Sequence, residues 1–303
     1  MNSRKFVIFC RGLLICALVN FGVLCAVSGQ EKVKEISILG GKYRLGKPAA
    51  IAISPSGQKM ALSDQQTNRI FIIDLQGRLL WIAGEETAFD QPQAVCFLTE
   101  TEVLFSLRDK SIILRVSRGN PSVIDTVADL TTQLSSPRVV DQMMRTPKGQ
   151  YVVLDRSQGE LLLFDSEWKY QRTLVSNGSG KGKVLAPSSF GLTSAGEVLV
   201  ADEKNYPVQV FSPEGKFLFY YGWNQPTIHR GWEAVAVAVD TRGFFWVADE
   251  TYKQFRIYDQ SGGELSAIPF PHKLFRPAAM VGTADNHMVV LDETSTLSFF
   301  TLD

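Results

Sequence analysis

The chain has 303 residues, 45% hydrophobic and 20% charged, with 31 basic and 31 acidic side chains and 24 glycines. That composition excludes a disordered polymer, a collagen-like chain and a nucleic-acid binder that relies on bulk positive charge. Length alone allows two domains, but all-β repeats of this size usually form one unit.

The chain opens on Arg4 and Lys5, and Leu13 to Val27 is apolar apart from Asn20 and Gly22. Val27-Ser28-Gly29 then puts small residues at the exit. A charged start, a short apolar run and a small-residue exit predict a secretory signal peptide over residues 1–29. The rival reading is an uncleaved anchor, but spanning a bilayer takes roughly 20 apolar residues, and Arg11 cuts this run to 15. Leu24 is bulky where lipid attachment at Cys25 would want a small residue. The exported domain is therefore expected to be residues 30–303. It carries 28 basic and 31 acidic groups, a net of −3, which further disfavours nucleic acid as a partner. Of its cysteines only Cys96 remains, in the apolar run Ala94 to Leu98, so it reads as a small buried hydrophobe and the core must do without a disulfide.

From residue 33 onward the chain repeats. A small-hydrophobic-hydrophobic-small-Asp phrase ends at Asp64, Asp155, Asp202, Asp249 and Asp292, in steps of 91, 47, 47 and 43 residues. The step of 91 hides a degenerate unit, Val103-Leu104-Phe105-Ser106-Leu107, which puts Arg108 in the Asp position. Gly57, Gly149, Gly196, Gly243 and Asn286 precede the phrase as turn residues, and Pro48, Pro92, Pro137, Pro187 and Pro277 stand at the head of their units, with Ala234 in the fifth. Ten residues after the Asp come Ile73-Asp74, Phe164-Asp165, Phe211-Ser212 and Tyr258-Asp259, whose alternating apolar positions predict a half-buried strand. A Gly- or Pro-bearing turn and a last apolar run close each unit.

Each unit thus predicts four antiparallel strands, and repeats of this length are the blades of a β-propeller. The sixth unit stops after Leu297 to Leu302, while Val33 to Leu39 matches an orphan fourth strand. The expected fold is all-β: a six-bladed propeller whose N-terminal strand completes the last blade and leaves no open edge. Five blades with spare strands at both ends is the alternative.

The phrases Val247-Ala248-Asp249 with Ile257-Tyr258-Asp259, and Val200-Ala201-Asp202 within Pro187 to Gly215, resemble the NHL-repeat family. The resemblance covers nearly all of the chain after residue 29 and is strongest in units four and five. It implies a fold more than a task. NHL-like propellers include peptide- and RNA-binding platforms, a zinc-dependent lyase and relatives of calcium-dependent sugar lactonases.

The residues discriminate among these. A short carboxylate before a loop can accept loop N–H groups, so five recurring Asp residues read as turn ties rather than a metal ring. His229 and His272 fall in connections between blades and His287 beside a turn of the opposite face, so they cannot converge on zinc. Of the first strands, only Arg138 to Met143 carries an acid, Asp141, a poor cage for calcium. Gly178-Ser179-Gly180 lacks the strand-to-helix context of a nucleophile elbow, and Asn177-Gly178-Ser179 is a glycosylation sequon in a eukaryotic secretory pathway. Neither a metal nor another cofactor is therefore expected.

Aromatic and arginine residues gather instead in the connections on one rim, the mix found at binding hot spots. Arg108, Arg138, Tyr206, Trp223, His229, Trp232, Tyr252 and Arg276 form the expected partner-binding set, with Phe270 and Phe275 beside them. The reading is a binding or scaffold module for a protein, peptide or glycan. The alternative is a lactonase-like metal-dependent hydrolase.

Overall fold

A computed structural model describes residues 34–39, 43–85, 89–221 and 233–301. The alternating apolar runs within them become strands, assembled as six four-stranded antiparallel sheets. The first sheet runs Pro48–Ile53, Lys59–Asp64, Arg69–Asp74 and Leu79–Ala83 in spatial order. The next four begin at Pro92, Gln142, Pro187 and Ala234 and keep the same up-and-down order. The sixth consists of Pro277–Gly282, His287–Asp292 and Leu297–Thr301, with Lys34–Ile36 from the other end of the chain as its fourth strand. The fold is a six-bladed β-propeller closed by its N-terminal strand.

That closing strand is shorter than the sequence suggests. Lys34, Glu35 and Ile36 pair with Phe299, Ser298 and Leu297. Ile38–Leu39 turns away and pairs with Tyr43–Arg44 in a separate small hairpin. The chain must reverse there to reach the first inner strand at Pro48. Val33 lies outside the described residues, as does the segment assigned to the signal peptide.

The six apolar clusters lie between blades rather than within them. One joins Phe71 and Ile73 of the first blade to Val289, Leu291 and Phe299 of the sixth, and Ile36 packs against it. Ile70 and Ile72, on the alternate face of the same strand, belong to a cluster shared with Phe97, Val103 and Phe105 of the second blade. Period-two alternation therefore feeds two interfaces at once. The third strand of the first blade, expected to be half-buried, is buried on both faces: Ile70, Phe71, Ile72 and Ile73 have no exposure. Where the intervening residue is polar it has partners. Gln209 accepts the Gly182 N–H and donates to the Lys183 carbonyl, and Arg256 lies against Asp249 and Glu264.

The turns between first and second strands explain their Gly and Asn residues. Gly196 has φ +85° and Asn286 φ +61°, the left-handed region where a larger side chain is strained. The recurring Asp residues are buried turn ties. Asp202 accepts N–H groups from Leu185, Ala186 and Lys204 at 2.6, 3.1 and 3.0 Å, joining the connection that enters its blade to the loop after its own strand. Asp64 does the same with Gly46, Lys47, Gln66 and Thr67.

Two features of the repeat need correction. The pairings Pro48 with Asp64, Pro187 with Asp202 and Pro277 with Asp292 are matched in the second blade by Pro92 with Leu107. Leu107, not Arg108, holds the Asp position; the entering Gln91 N–H is accepted instead by Asn68 of the previous blade, at 2.9 Å. In the third blade the inner strand is Gln142–Arg145 rather than Arg138 to Met143. Counting back from Gln142, Val140 takes the place that Pro48 has in the first blade, so the chain carries an insertion between Pro137 and Val140.

Candidate functional site

The inner strands surround a channel of about 510 Å³. In the first, fourth, fifth and sixth blades the register slips by one residue just after the leading Pro or Ala, as between Pro48 and Ala50. Such a bulge re-aims one side chain. Ala49, Gln93, Ser188 and Ala278, each directly after its leading proline, line the channel, and Asp141 lines it from the third blade. The layer is asymmetric, because blades two to four contribute Gln93, Asp141 and Ser188 where the first and sixth contribute alanine. Below it, Ala52, Cys96, Met144, Gly191, Ala238 and Val281 form a waist of small and apolar residues.

On the loop face the channel opens into a mouth of about 350 Å³ edged by Lys47, Arg108, Asp109, Asp141, Arg156 and Ser157. Gln65 and Gln93, also at the mouth, are hydrogen-bonded to one another through their side-chain amides. Arg108 lies 3.7 Å from Asp109, and Arg156 lies 3.7 Å from Glu203. Asp141 is the group most altered by this setting. Its Oδ2 accepts the Arg156 backbone N–H at 2.8 Å, while its Oδ1 accepts no hydrogen bond from the described residues. Burial pushes its carboxyl above the ordinary carboxylate range, Arg156 opposes the shift, and the charges of Asp155 and Asp109 add to it. A perturbed acid in a cleft marks a candidate site on physical grounds.

The residues expected to form a binding rim are distributed differently. Arg108 reaches the mouth. Arg138 is mostly buried, its guanidinium 2.7 Å from Glu160 and 3.7 Å from Asp155, in a structural ion pair beside the insertion. Tyr206 stacks on Tyr220 at 4.7 Å between ring centres, towards the outer edge of blade four. Tyr252 is 56% exposed and carries the Arg256 guanidinium over its ring, and Arg276 is exposed with its N–H bound to Asp292. Trp223, His229 and Trp232 lie outside the described residues. Phe270 and Phe275, grouped with the rim from the sequence, belong to the core between blades five and six.

Sequence reasoning misses Lys47, Gln93, Asp109 and Ser157, and it presents Asp141 only as a metal ligand. The signal that finds the channel residues is the position after each unit's leading proline. In the third blade the insertion disguises it, because Pro137 draws attention to Arg138 while Asp141 takes the channel position. Cys96 fits its sequence reading: burial pushes its thiol up to about 11, so it stays protonated and inert at neutral pH.

Metal chemistry has a poor donor set here. Asp141 is the single acid among the channel-lining residues, and no group of three His, Cys, Asp or Glu side chains converges among the described residues. His287 begins the strand His287–Asp292, and His272 lies 4.0 Å from Asp292 at its far end, so these two histidines are on opposite faces. Exhaustive chelation is therefore expected to leave the thermal midpoint unchanged. A fall of several degrees that calcium or zinc restores would overturn that expectation.

No family model matches the chain, and no curated protein matches it in sequence. Solved structures do match. Virginiamycin B lyase from Staphylococcus aureus aligns with TM-score 0.60 and 15% identity, over 90% of this chain and 100% of that one. A streptogramin B lyase aligns with TM-score 0.61 and 10% identity, over 90% and 98%. Regucalcin from Agrobacterium tumefaciens, a calcium-binding protein, aligns with TM-score 0.62 and 14% identity, over 84% and 90%. At these identities the likeness is one of fold, and the chain is a six-bladed propeller of the architecture those proteins share.

Proposed function

We propose that the chain is an exported NHL-like propeller that serves as a binding module, taking a protein, peptide or glycan partner on its loop face. The observation that carries the reading is the open mouth on that face, where charged side chains of both signs surround an apolar channel. A few polar groups over an apolar cavity are the usual make-up of a recognition site. Export rests on the sequence alone, on Arg4, Lys5 and the apolar run to Val27, and the NHL-like assignment rests on the Val-Ala-Asp phrases.

The test is a selection from a displayed peptide library and a glycan array. Binders are expected to be weakened about tenfold by Arg108→Ala, Tyr252→Ala and Arg276→Ala, the cost of losing hot-spot side chains. Alanine at Lys148, Glu197 and Arg242, in the turns of the opposite face, is expected to change little. Loss only from the second set would put the site on the wrong face.

A second reading, an exported propeller enzyme such as a lactonase-like hydrolase, draws on the raised carboxyl of Asp141 within a fold shared with lyases. A metal-dependent form of that reading stands or falls with the chelation experiment.

A further inference from the structure

We infer that the channel mouth is a site for an ammonium group joined to an apolar body, with the ammonium on Asp141 and the apolar body in the waist below. The inference rests on the loop-face reading and specifies its ligand.

Three observations support it. The first is an acceptor without a donor. Asp141 Oδ2 is held by the Arg156 N–H, which fixes the carboxylate plane, and Oδ1 is left without a hydrogen bond from the described residues at the wall of the cavity. Among the described residues no cationic side chain supplies one: Arg108 lies against Asp109, Arg156 against Glu203 and Arg138 against Glu160, and Lys47, also at the mouth, makes no ion pair with Asp141. A partly buried carboxylate gains most from a donor that also carries positive charge. The second is the pair of acids nearby: Asp109 edges the same mouth, and with Asp155 it acts against the positive charge that Arg156 places on Asp141.

The third is the space beneath. Ala52, Gly191, Ala238 and Val281 leave room at the waist and present no polar side chain there, so an apolar group attached to the ammonium can sit against them without leaving a polar group unpaired. Gly191 shows how closely the wall is built, because a Cβ there would meet the Ala238 backbone at 3.4 Å. On the other side Gln142 is fully used, bridging to the Phe190 backbone through both its amide atoms, and does not compete for the ligand.

An ammonium on an apolar group has two sources, a free amine or the N-terminus of a peptide whose first side chain is apolar. Calorimetric titration of the purified protein with 2-phenylethylamine, with amidated Phe-Ala-Ala and with its N-acetylated form separates them. At least one free-amine probe is expected to bind, and acetylation is expected to weaken the peptide by about tenfold, the worth of one charge-assisted bond. Binding of the amine alone would identify a small-molecule site, and binding of the free peptide would identify an N-terminus reader; either supports the inference.

Asp141→Asn keeps an acceptor for the Arg156 N–H and is expected to fold normally while weakening the amine by about tenfold. Ala278→Leu, which narrows the channel in the layer that also holds Asp141, is expected to weaken the same probe. Equal binding of the acetylated peptide, tighter binding of 3-phenylpropionate, or unchanged affinity in Asp141→Asn would overturn the assignment. Rim binders from the library that keep their affinity for Asp141→Asn would leave the loop-face reading standing while this one falls.

Discussion

Asp202→Ala is expected to lower stability by about 3 kcal/mol, because three partly buried N–H groups lose one acceptor together. The carboxylate is 1% exposed and takes the N–H groups of Leu185, Ala186 and Lys204. No described side chain nearby can replace all three bonds, and an unpaired buried donor costs about 1–3 kcal/mol, less where water can enter. For a domain of 150–250 residues, about 3 kcal/mol corresponds to roughly 6–12 °C in thermal midpoint. Asp125→Ala is the comparison. It removes an acid that also has a partner, Arg115 at 2.8 Å, but the side chain is 52% exposed. Exposed pairs of that kind contribute little, because water screens them. Thermal unfolding of both variants checks the claim. If the two midpoints fell equally, the repeated Asp residues would not be turn ties.

Blade number, strand order and ring closure are legible in the sequence because they depend on spacings that the backbone enforces. A left-handed turn needs Gly or Asn at one place, and a tie needs Asp at another, so their period reports the blade directly. The interior of the ring is less legible. A channel position is identified only by its register in the inner strand, and one insertion before Val140 moves that register while leaving Pro137 and Asp155 in view. Arg138 therefore looks like a rim residue, and Asp141 looks like an inadequate metal ligand. The aromatics mislead in another way. Phe270 and Phe275 stand in a connection by sequence position, yet the gap between two blades buries them. Composition does not distinguish an aromatic that covers a blade from one that faces a partner.

Deleting residues 30–40 is expected to abolish cooperative unfolding or to cause aggregation. Among the described residues three pairs join the closing strand to the last blade, Lys34 with Phe299, Glu35 with Ser298 and Ile36 with Leu297. By local hydrogen bonding this would be a small loss. The position of the strand makes it large. Ile36 packs on the cluster that joins blades one and six, where the two ends of the repeat meet. Its side chain also lies in the space over Gly77, since a Cβ added to that glycine would clash with Ile36 Cδ1. Removing the strand thus uncovers Leu297–Thr301 as a free edge and cuts the stretch of chain that runs across the seam from blade six to blade one. Every blade relies on two neighbours for burial, so an opened seam exposes apolar faces on both sides. A free edge beside exposed apolar residues is a template for association between copies. Ile36→Asp tests the packing contribution separately, because it keeps the strand and its backbone bonds. It is expected to lower the midpoint while leaving unfolding cooperative. A truncated protein that melted as a single transition at the full-length midpoint would show that the ring holds without its clip.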